Sequence, residues 1–110
     1  TSGRSSGDTM SLWLTEFVIR GGEWSRRTFG EGRRTVGICR HIEKELAEIQ
    51  ADPDDTREWI DVLLLAIDGY RRHGGKPEQL AAMLQWKQDH NMQREWPPIQ
   101  PEDLPVEHRR

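Results

Sequence analysis

The segment from Trp59 to Ile67 carries apolar side chains on nearly every side of a helix, and it constrains the fold more than any other part of the chain. A helix that is apolar all round is buried all round, because every face has to be removed from water. A chain of 110 residues has too little other apolar surface to surround such a helix. We therefore expect a neighbouring subunit to cover one side of it, and so a homo-oligomer.

Two helices are predicted in this region, joined by a short turn. The apolar helix runs from about Thr56 to Arg72, and Asp55 or Thr56 can cap it. The preceding helix, 36–50, has apolar residues at gaps of four, four and three, which form one helical stripe: Ile38, Ile42, Leu46 and Ile49. Pro53 prevents a simple continuation from one helix to the next. The short connection favours antiparallel packing of the two.

The N-terminal third is predicted to hold one short helix. Residues 11–20 fit a helix with Ser11 as its cap, and Gly21 and Gly22 are expected to end it. Residues 23–35 combine two glycines with charges of both signs, which is typical of a loop.

The C-terminal third begins at Pro77, which favours the first turn of a helix that would extend to about Trp96. The sequence therefore predicts an all-α fold, an antiparallel bundle of three main helices plus a short N-terminal helix. Residues 1–9 are rich in Gly and Ser and are expected to be a disordered tag or linker, residues 10–96 the domain, and residues 97–110, with four prolines, an extended tail.

Composition and charge exclude several classes of function. The net charge of −3 argues against general binding of nucleic-acid polymers through their phosphates. No apolar run reaches the length of a membrane span, and no secretory signal pattern occurs. Cys39 is the only cysteine, so an intramolecular disulfide is impossible, and we expect Cys39 to be a small buried apolar side chain. These features fit a protein of the reducing cytosol.

Two pairs of carboxylates lie on the two neighbouring helices. Glu45 and Glu48 are three residues apart and share one helix face, and Glu58 and Asp61 do the same on the next helix. Because the turn at Pro53 is short, the end of one helix lies near the start of the next, and we expect the four carboxylates to converge. Converging anions raise one another's pKa, and a divalent cation relieves that repulsion.

Oxygen ligands and the absence of clustered Cys or His favour Mg²⁺ over softer metals at this position. Either pair alone would be an ordinary solvated helix face. Glu58 and Asp61 are more informative, since they flank Trp59 and Ile60 and precede the most apolar stretch of the chain. At least one of them is expected to face inward, and a buried carboxylate requires a partner.

The third main helix carries one stripe that changes character along its length. Its members follow gaps of four, three, four and three: Leu80, Leu84, Lys87, Asn91 and Arg94. If the apolar half faces the core, the polar half continues onto the same inner side, where cations meet phosphate oxygens or carboxylates. The alternative is a helix that simply emerges into solvent, and the sequence alone supports both equally.

Several residues near the carboxylates have two interpretations. His41, one turn before Glu45, either contacts a phosphate or a ligand carboxylate or is a plain surface histidine. Trp24 and Phe29 either stack on a purine or, the favoured interpretation, cover a hydrophobic edge. Asp68 lies on the same face as Asp61 and is predicted to hold an arginine or histidine in a buried pair.

These residues resemble the MazG-like all-α NTP pyrophosphatase superfamily. Its signature, Glu-Glu-x-x-Glu followed by Glu-x-x-Asp, appears as Lys44-Glu45-Leu46-Ala47-Glu48 and Glu58-Trp59-Ile60-Asp61, with Lys44 where Glu is usual. The wider match, from Trp24 to His108, is similar to the dATP/dGTP pyrophosphohydrolase branch, which includes phage enzymes.

This resemblance implies hydrolysis of a purine (d)NTP, either dGTP/GTP or dATP, between its α- and β-phosphates, with Mg²⁺ or Mn²⁺ and in a tetramer. It also implies roles for individual residues. The implied metal ligands are Glu45, Glu48, Glu58 and Asp61, of which Glu45 or Glu48 would orient or deprotonate the water. The implied substrate contacts are Lys87 and Asn91, joined by Arg94.

The alternatives are a related pyrophosphatase for dUTP or phosphoribosyl-ATP, and a non-catalytic helical adaptor. Retention of all four carboxylates together with Lys87 and Asn91 argues against the adaptor.

Overall fold

The computed structural model describes residues 6–109, with side chains from residue 9 onward. In order along the chain, the elements are helix α1 (Ser6–Phe29), helix α2 (Thr35–Ala51), helix α3 (Thr56–Arg72), a 3-10 turn (Pro77–Gln79) and helix α4 (Leu80–Gln93). These described residues form no strand, which confirms the all-α prediction. Nor do they include a helix with the length and apolar character needed to cross a membrane.

Helices α2 and α3 form the antiparallel pair that the sequence predicts. The side chains of Thr35 and His73 meet at one end of the pair, and Ile38 packs against Gly69 further along. Asp55 is the N-cap of α3, because its carboxylate accepts a hydrogen bond from the backbone N–H of Arg57 over 3.1 Å. The predicted bounds of both helices hold to within one residue.

The prediction for the N-terminal region is wrong in its main feature. Helix α1 is not a short helix ending at Gly21 but the longest element, with 24 residues, and Ser11 lies inside it rather than at its cap. It takes in residues 6–9, which were assigned to the linker, and 23–29, which were assigned to a loop. Residues 1–5 of the expected linker lie outside the described residues.

Helix α1 continues through Gly21 and Gly22, and the space left by their missing side chains is filled by Arg71 of α3. A Cβ on Gly22 would lie 3.0 Å from both Cδ and Nε of Arg71, and one on Gly21 would lie 3.3 Å from Arg71 Nη1. The Arg71 guanidinium also donates to the backbone oxygen of Val18 over 2.9 Å. Arg71 can pack this closely on α1 only because both positions lack a side chain, and its contacts offset the low helix propensity of glycine.

The buried apolar core of the described chain is small, and α3 contributes no buried residue to it. Its members are Val18, Ile38, Ile49 and Leu80. Trp59, Ile60 and Leu63 of α3 are each more than half exposed. The single chain therefore leaves uncovered much of the helix whose burial the sequence predicts. Cys39 is also exposed, contrary to prediction, because it follows the inward-facing Ile38 on α2 and points away from the core.

The described chain divides into one unit that ends at Leu80 and a second that begins at Ala81. The second unit holds all of α4 except its first residue, and this helix ends at Gln93, three residues before the predicted limit. The segment after it forms neither helix nor strand and turns back instead of running extended, since the backbone N–H of Arg109 donates to the Glu95 carbonyl over 2.7 Å. It is also held near Trp96. The indole N–H of Trp96 donates to the Asn91 carbonyl over 2.7 Å, and its ring meets His108 edge-on, with 5.8 Å between ring centroids.

Candidate active site

Three carboxylates meet where α2 and α3 are joined. Glu45 and Glu48 on α2 and Glu58 on α3 each offer an oxygen, and these oxygens lie within 4.8 Å of one another. The meeting follows from the short turn between the helices, which sets the last turns of α2 beside the first turns of α3. Glu45 is buried, with 7% of its surface exposed, while Glu48 is exposed.

This group, the carboxylate cluster of Glu45, Glu48 and Glu58, is electrostatically unfavourable by itself. Hydrogen bonding with the Glu45 carboxyl, and next with that of Glu48, raises the pKa of Glu58 from 4.5 to about 7. Burial and repulsion between the like charges add to the shift. Oε2 of Glu45 and Oε2 of Glu58 are buried without a hydrogen-bond partner. A group of three carboxylates that approach one another this closely, with two buried oxygens unpartnered, fits a hard divalent cation.

Asp61, the fourth predicted carboxylate, does not join the tight group. It is exposed and lines a cleft of about 240 Å³ to which Glu45 also contributes. The structure therefore brings together three of the four predicted ligands and leaves Asp61 at the side of the cleft.

The cleft beside the carboxylate cluster has one aromatic side and one polar side. Trp24 and Phe29 form the aromatic side and meet edge-on, with 5.3 Å between ring centroids. They do not stand in a loop, as predicted, but in the last two turns of α1. Both are partly exposed, 53% for Trp24 and 43% for Phe29, so their surfaces are open to a ligand.

His41 stands beside the buried carboxylate of the cluster. Its Nε2 lies 3.4 Å from Oε1 of Glu45, one helical turn further along α2, and both residues line the cleft. This contact with a carboxylate agrees with one of the interpretations of His41. The contact occupies one oxygen of Glu45 and leaves the other unpartnered.

Asp68 forms the predicted ion pair with an arginine, and it has two further partners, a second arginine and a serine. Its Oδ1 accepts from Arg71 Nη2 over 2.8 Å, and its Oδ2 accepts from Arg72 Nε over 3.0 Å and from Ser25 Oγ over 2.8 Å. Burial raises the pKa of Asp68, but the hydrogen bonds from Arg71, Ser25 and Arg72 outweigh it and leave the pKa below its usual value. Asp68 is therefore an anion that joins α1 to α3.

Lys87 and Asn91 lie together in the second unit, where they line one open groove with Leu84 and Trp96. Arg94 is the next residue of their stripe, and its guanidinium contacts His108 Nδ1 at 3.4 Å. Leu80 is buried, but Leu84 is 55% exposed, so the apolar half of the stripe is only partly covered by this chain.

Four residues around the cleft have no functional role predicted from the sequence: Ser25, Leu64, Leu65 and Arg72. Ser25, Leu64 and Leu65 line the cleft, while Arg72 binds Ser25 and Asp68 from behind it. One signal was available for Arg72, since it follows Asp68 by four residues, a spacing that places two side chains together on a helix. Nothing in the local sequence marks Ser25, whose role depends on a residue 43 positions away.

A comparison with protein families gives a match over residues 17–109 to the model described as dATP/dGTP pyrophosphohydrolase. No curated protein and no solved structure gave a significant match. The family match includes the carboxylate cluster, the cleft and the groove of Lys87 and Asn91, and it covers well over half of the chain. The chain therefore belongs to the dATP/dGTP pyrophosphohydrolase family and is a nucleotide pyrophosphohydrolase.

Proposed function

We propose that this protein hydrolyses a purine (d)NTP, either dGTP/GTP or dATP, to the monophosphate and pyrophosphate. The observation that carries the proposal is the carboxylate cluster, with its unpartnered buried oxygens, beside a cleft with an aromatic side. A cation site next to an aromatic surface offers separate places for a triphosphate and for a base.

We propose Glu45, Glu48, Glu58 and Asp61 as the ligands of Mg²⁺ or Mn²⁺. Three of these carboxylates already meet, and Asp61 follows Glu58 by three residues and lines the adjoining cleft. When bound, the cation neutralises phosphate charge and lowers the pKa of water.

Other steps of the proposed reaction are assigned to side chains of this protein. Glu45 and Glu48 are the two candidates for the base that takes the proton of the attacking water. As the new bond from the water oxygen to the α- or the β-phosphorus forms, the bond from that phosphorus to the oxygen bridging the two breaks, which separates the monophosphate from pyrophosphate. His41 orients Glu45 through their 3.4 Å contact. Trp24 and Phe29 stack on the base, and their open surfaces support this role.

Lys87, Asn91 and Arg94 are proposed to contact the phosphates. Lys87 and Asn91 line one groove, which supports a shared ligand, and Arg94 comes directly after the end of α4. A cationic amine and an amide donor both suit phosphate oxygens.

The proposed assembly is a homo-oligomer, and a tetramer by the resemblance. The support is physical: Trp59, Ile60 and Leu63 leave an apolar face of α3 more than half exposed, which isolated proteins avoid. We place the enzyme in the cytosol of a bacterium or of a phage-infected cell, where free nucleotides are its substrate.

The deciding experiment measures pyrophosphate release from each common NTP and dNTP, from dUTP and from phosphoribosyl-ATP, with and without Mg²⁺ or Mn²⁺. We expect release from purine substrates only, and only with the cation. Glu48→Gln should lower turnover at least about tenfold, since metal contributions to catalysis amount to several kcal/mol. Glu43→Gln is the matched control, because Glu43 is exposed on the same helix and outside the carboxylate cluster.

Other outcomes separate the alternatives. Preference for dUTP or for phosphoribosyl-ATP would identify a related pyrophosphatase, and both would contradict the purine (d)NTP assignment. Absence of pyrophosphate release from every substrate would favour a helical adaptor. Equal activity of the Glu48→Gln and Glu43→Gln variants would exclude Glu48 from the site.

A further inference from the structure

The guanidinium of Arg72 is almost completely buried and makes four hydrogen bonds to three different parts of the fold. Only 5% of its side chain is exposed. Its Nε donates to Asp68 over 3.0 Å and its Nη2 donates to Ser25 Oγ over 2.9 Å. Its Nη1 donates to the backbone oxygens of Gly30, over 2.9 Å, and Gly32, over 2.8 Å. A planar guanidinium alone can serve all of these acceptors at fixed angles.

These bonds fix the part of α1 that carries the aromatic side of the cleft. Ser25 directly follows Trp24, and Gly30 directly follows Phe29. Arg72 therefore holds the side chain of Ser25, next to Trp24, and the backbone carbonyl of Gly30, next to Phe29. The link to Gly30 and Gly32 matters most, because both have positive φ, 97° and 96°, and belong to an exposed loop with few other attachments.

Arg72 acts on the cleft without belonging to it. It lines a different hollow, together with Gly22, Arg26 and Arg33, and it is absent from the residues that line the cleft. Asp68 lines both this hollow and the cleft. Its Oδ1 accepts a hydrogen bond from Arg71, which packs against Gly21 and Gly22. Asp68 pairs with Arg72 and with Arg71, so one carboxylate holds both guanidinium groups at the end of α3.

We propose that Arg72, together with Asp68, is a positioning residue that sets the place of Trp24 and Phe29 and thereby the affinity of the cleft for the nucleoside part of the substrate. The proposal rests on the proposed function insofar as this aromatic side receives the base. It goes further in assigning control of that side to Arg72, which lies outside the cleft, acting through Asp68 and Ser25.

The test uses Arg72→Lys, which keeps the charge and removes the planar array of donors. We expect KM for the preferred purine (d)NTP to rise about tenfold or more, while kcat changes by no more than about threefold, because displaced binding groups weaken substrate positioning. Mn²⁺ affinity, measured by electron paramagnetic resonance, should stay the same, because the carboxylate cluster lies elsewhere. The control is Arg40→Lys, an exposed arginine on α2, which should leave all three quantities unchanged.

A second measurement does not depend on activity. The five tryptophans can be replaced with 5-fluorotryptophan, and the fluorine resonance of Trp24 can be assigned from its loss in Trp24→Phe. In Arg72→Lys we expect the Trp24 resonance to shift or broaden while that of Trp86 stays in place. If no triphosphate is cleaved even by the wild type, the proposed function fails, yet this measurement still tests the positioning role.

Two results would overturn the positioning role. One is an unchanged Trp24 resonance in Arg72→Lys. The other is a joint fall in kcat, Mn²⁺ affinity and melting temperature together with the rise in KM, which would mean that Arg72 only stabilises the fold.

Discussion

Arg71 of α3 lies in the space that Gly22 of α1 leaves open, with its Cδ and Nε 3.0 Å from the position of a Cβ on that glycine. From there its guanidinium donates to the Val18 carbonyl and to Asp68. The pair Gly21–Gly22, which would normally end a helix, therefore provides the space in which Arg71 connects α3 to α1. The cleft is built on this contact, since Asp68 lines it.

Replacing Gly22 with alanine is expected to destabilise the protein. The added methyl group would meet the stem of a side chain held at both ends, and overpacking of this kind costs about 1–3 kcal/mol, more than the roughly 1 kcal/mol that alanine gains over glycine in a helix. Chemical denaturation measures the difference. Gly69→Ala is the control, because its Cβ would lie 3.8 Å from Ile38, an ordinary contact, and it should be neutral or stabilising. Equal stabilisation by both changes would contradict the prediction.

The metal-free protein should lose stability as pH rises from about 4.5 to 7 because of Glu58. Its pKa is raised to about 7 in the folded state, so between the two values the folded chain binds more protons than the unfolded chain. Stability therefore falls with increasing pH over that window. Melting temperatures in EDTA should show a shallower decline for Glu58→Gln than for the wild type, and saturating Mg²⁺ should offset the wild-type decline. Parallel curves for the two proteins would refute the role of Glu58.

Lys87→Ala should weaken substrate binding and turnover far more than Lys76→Ala. Lys87 lines a groove with Asn91, whereas Lys76 is exposed in the turn before Pro77. A single charge-assisted hydrogen bond to phosphate contributes about 1.5–3 kcal/mol, or about tenfold to a hundredfold in kcat/KM. Small and equal effects of the two substitutions in steady-state kinetics would return Lys87 to an ordinary solvated helix face.

Light scattering at micromolar protein should give a mass that is a multiple of the 12.8 kDa chain, and four times that mass if the assembly is a tetramer. The physical reason is the exposed apolar face of α3 around Trp59, Ile60 and Leu63. Ile60→Glu should shift the mass towards the single chain, whereas Glu43→Lys, on an exposed polar position of α2, should not. A mass of one chain with full activity would contradict the assembly.

The sequence by itself determined the elements whose signals are local. The stripe of Ile38 and Ile49, the break at Pro53 and the Asp55 cap each act within a few residues, and the bounds of α2 and α3 followed from them. The same short turn predicted that four carboxylates would meet, because helices joined in this way lie side by side, and three of them do: Glu45, Glu48 and Glu58.

Only the tertiary structure determined the features that depend on residues far apart in the chain, namely the length of α1 and the contacts behind the cleft. Gly21 and Gly22 end a helix by local propensity, but Arg71, some 50 residues further on, occupies the space that they leave and α1 continues. Arg72 and Ser25 are likewise unremarkable until Asp68 brings them together. The physical reason is that local preferences amount to about 1 kcal/mol per residue, which is comparable to one hydrogen bond or one packed side chain supplied by another element.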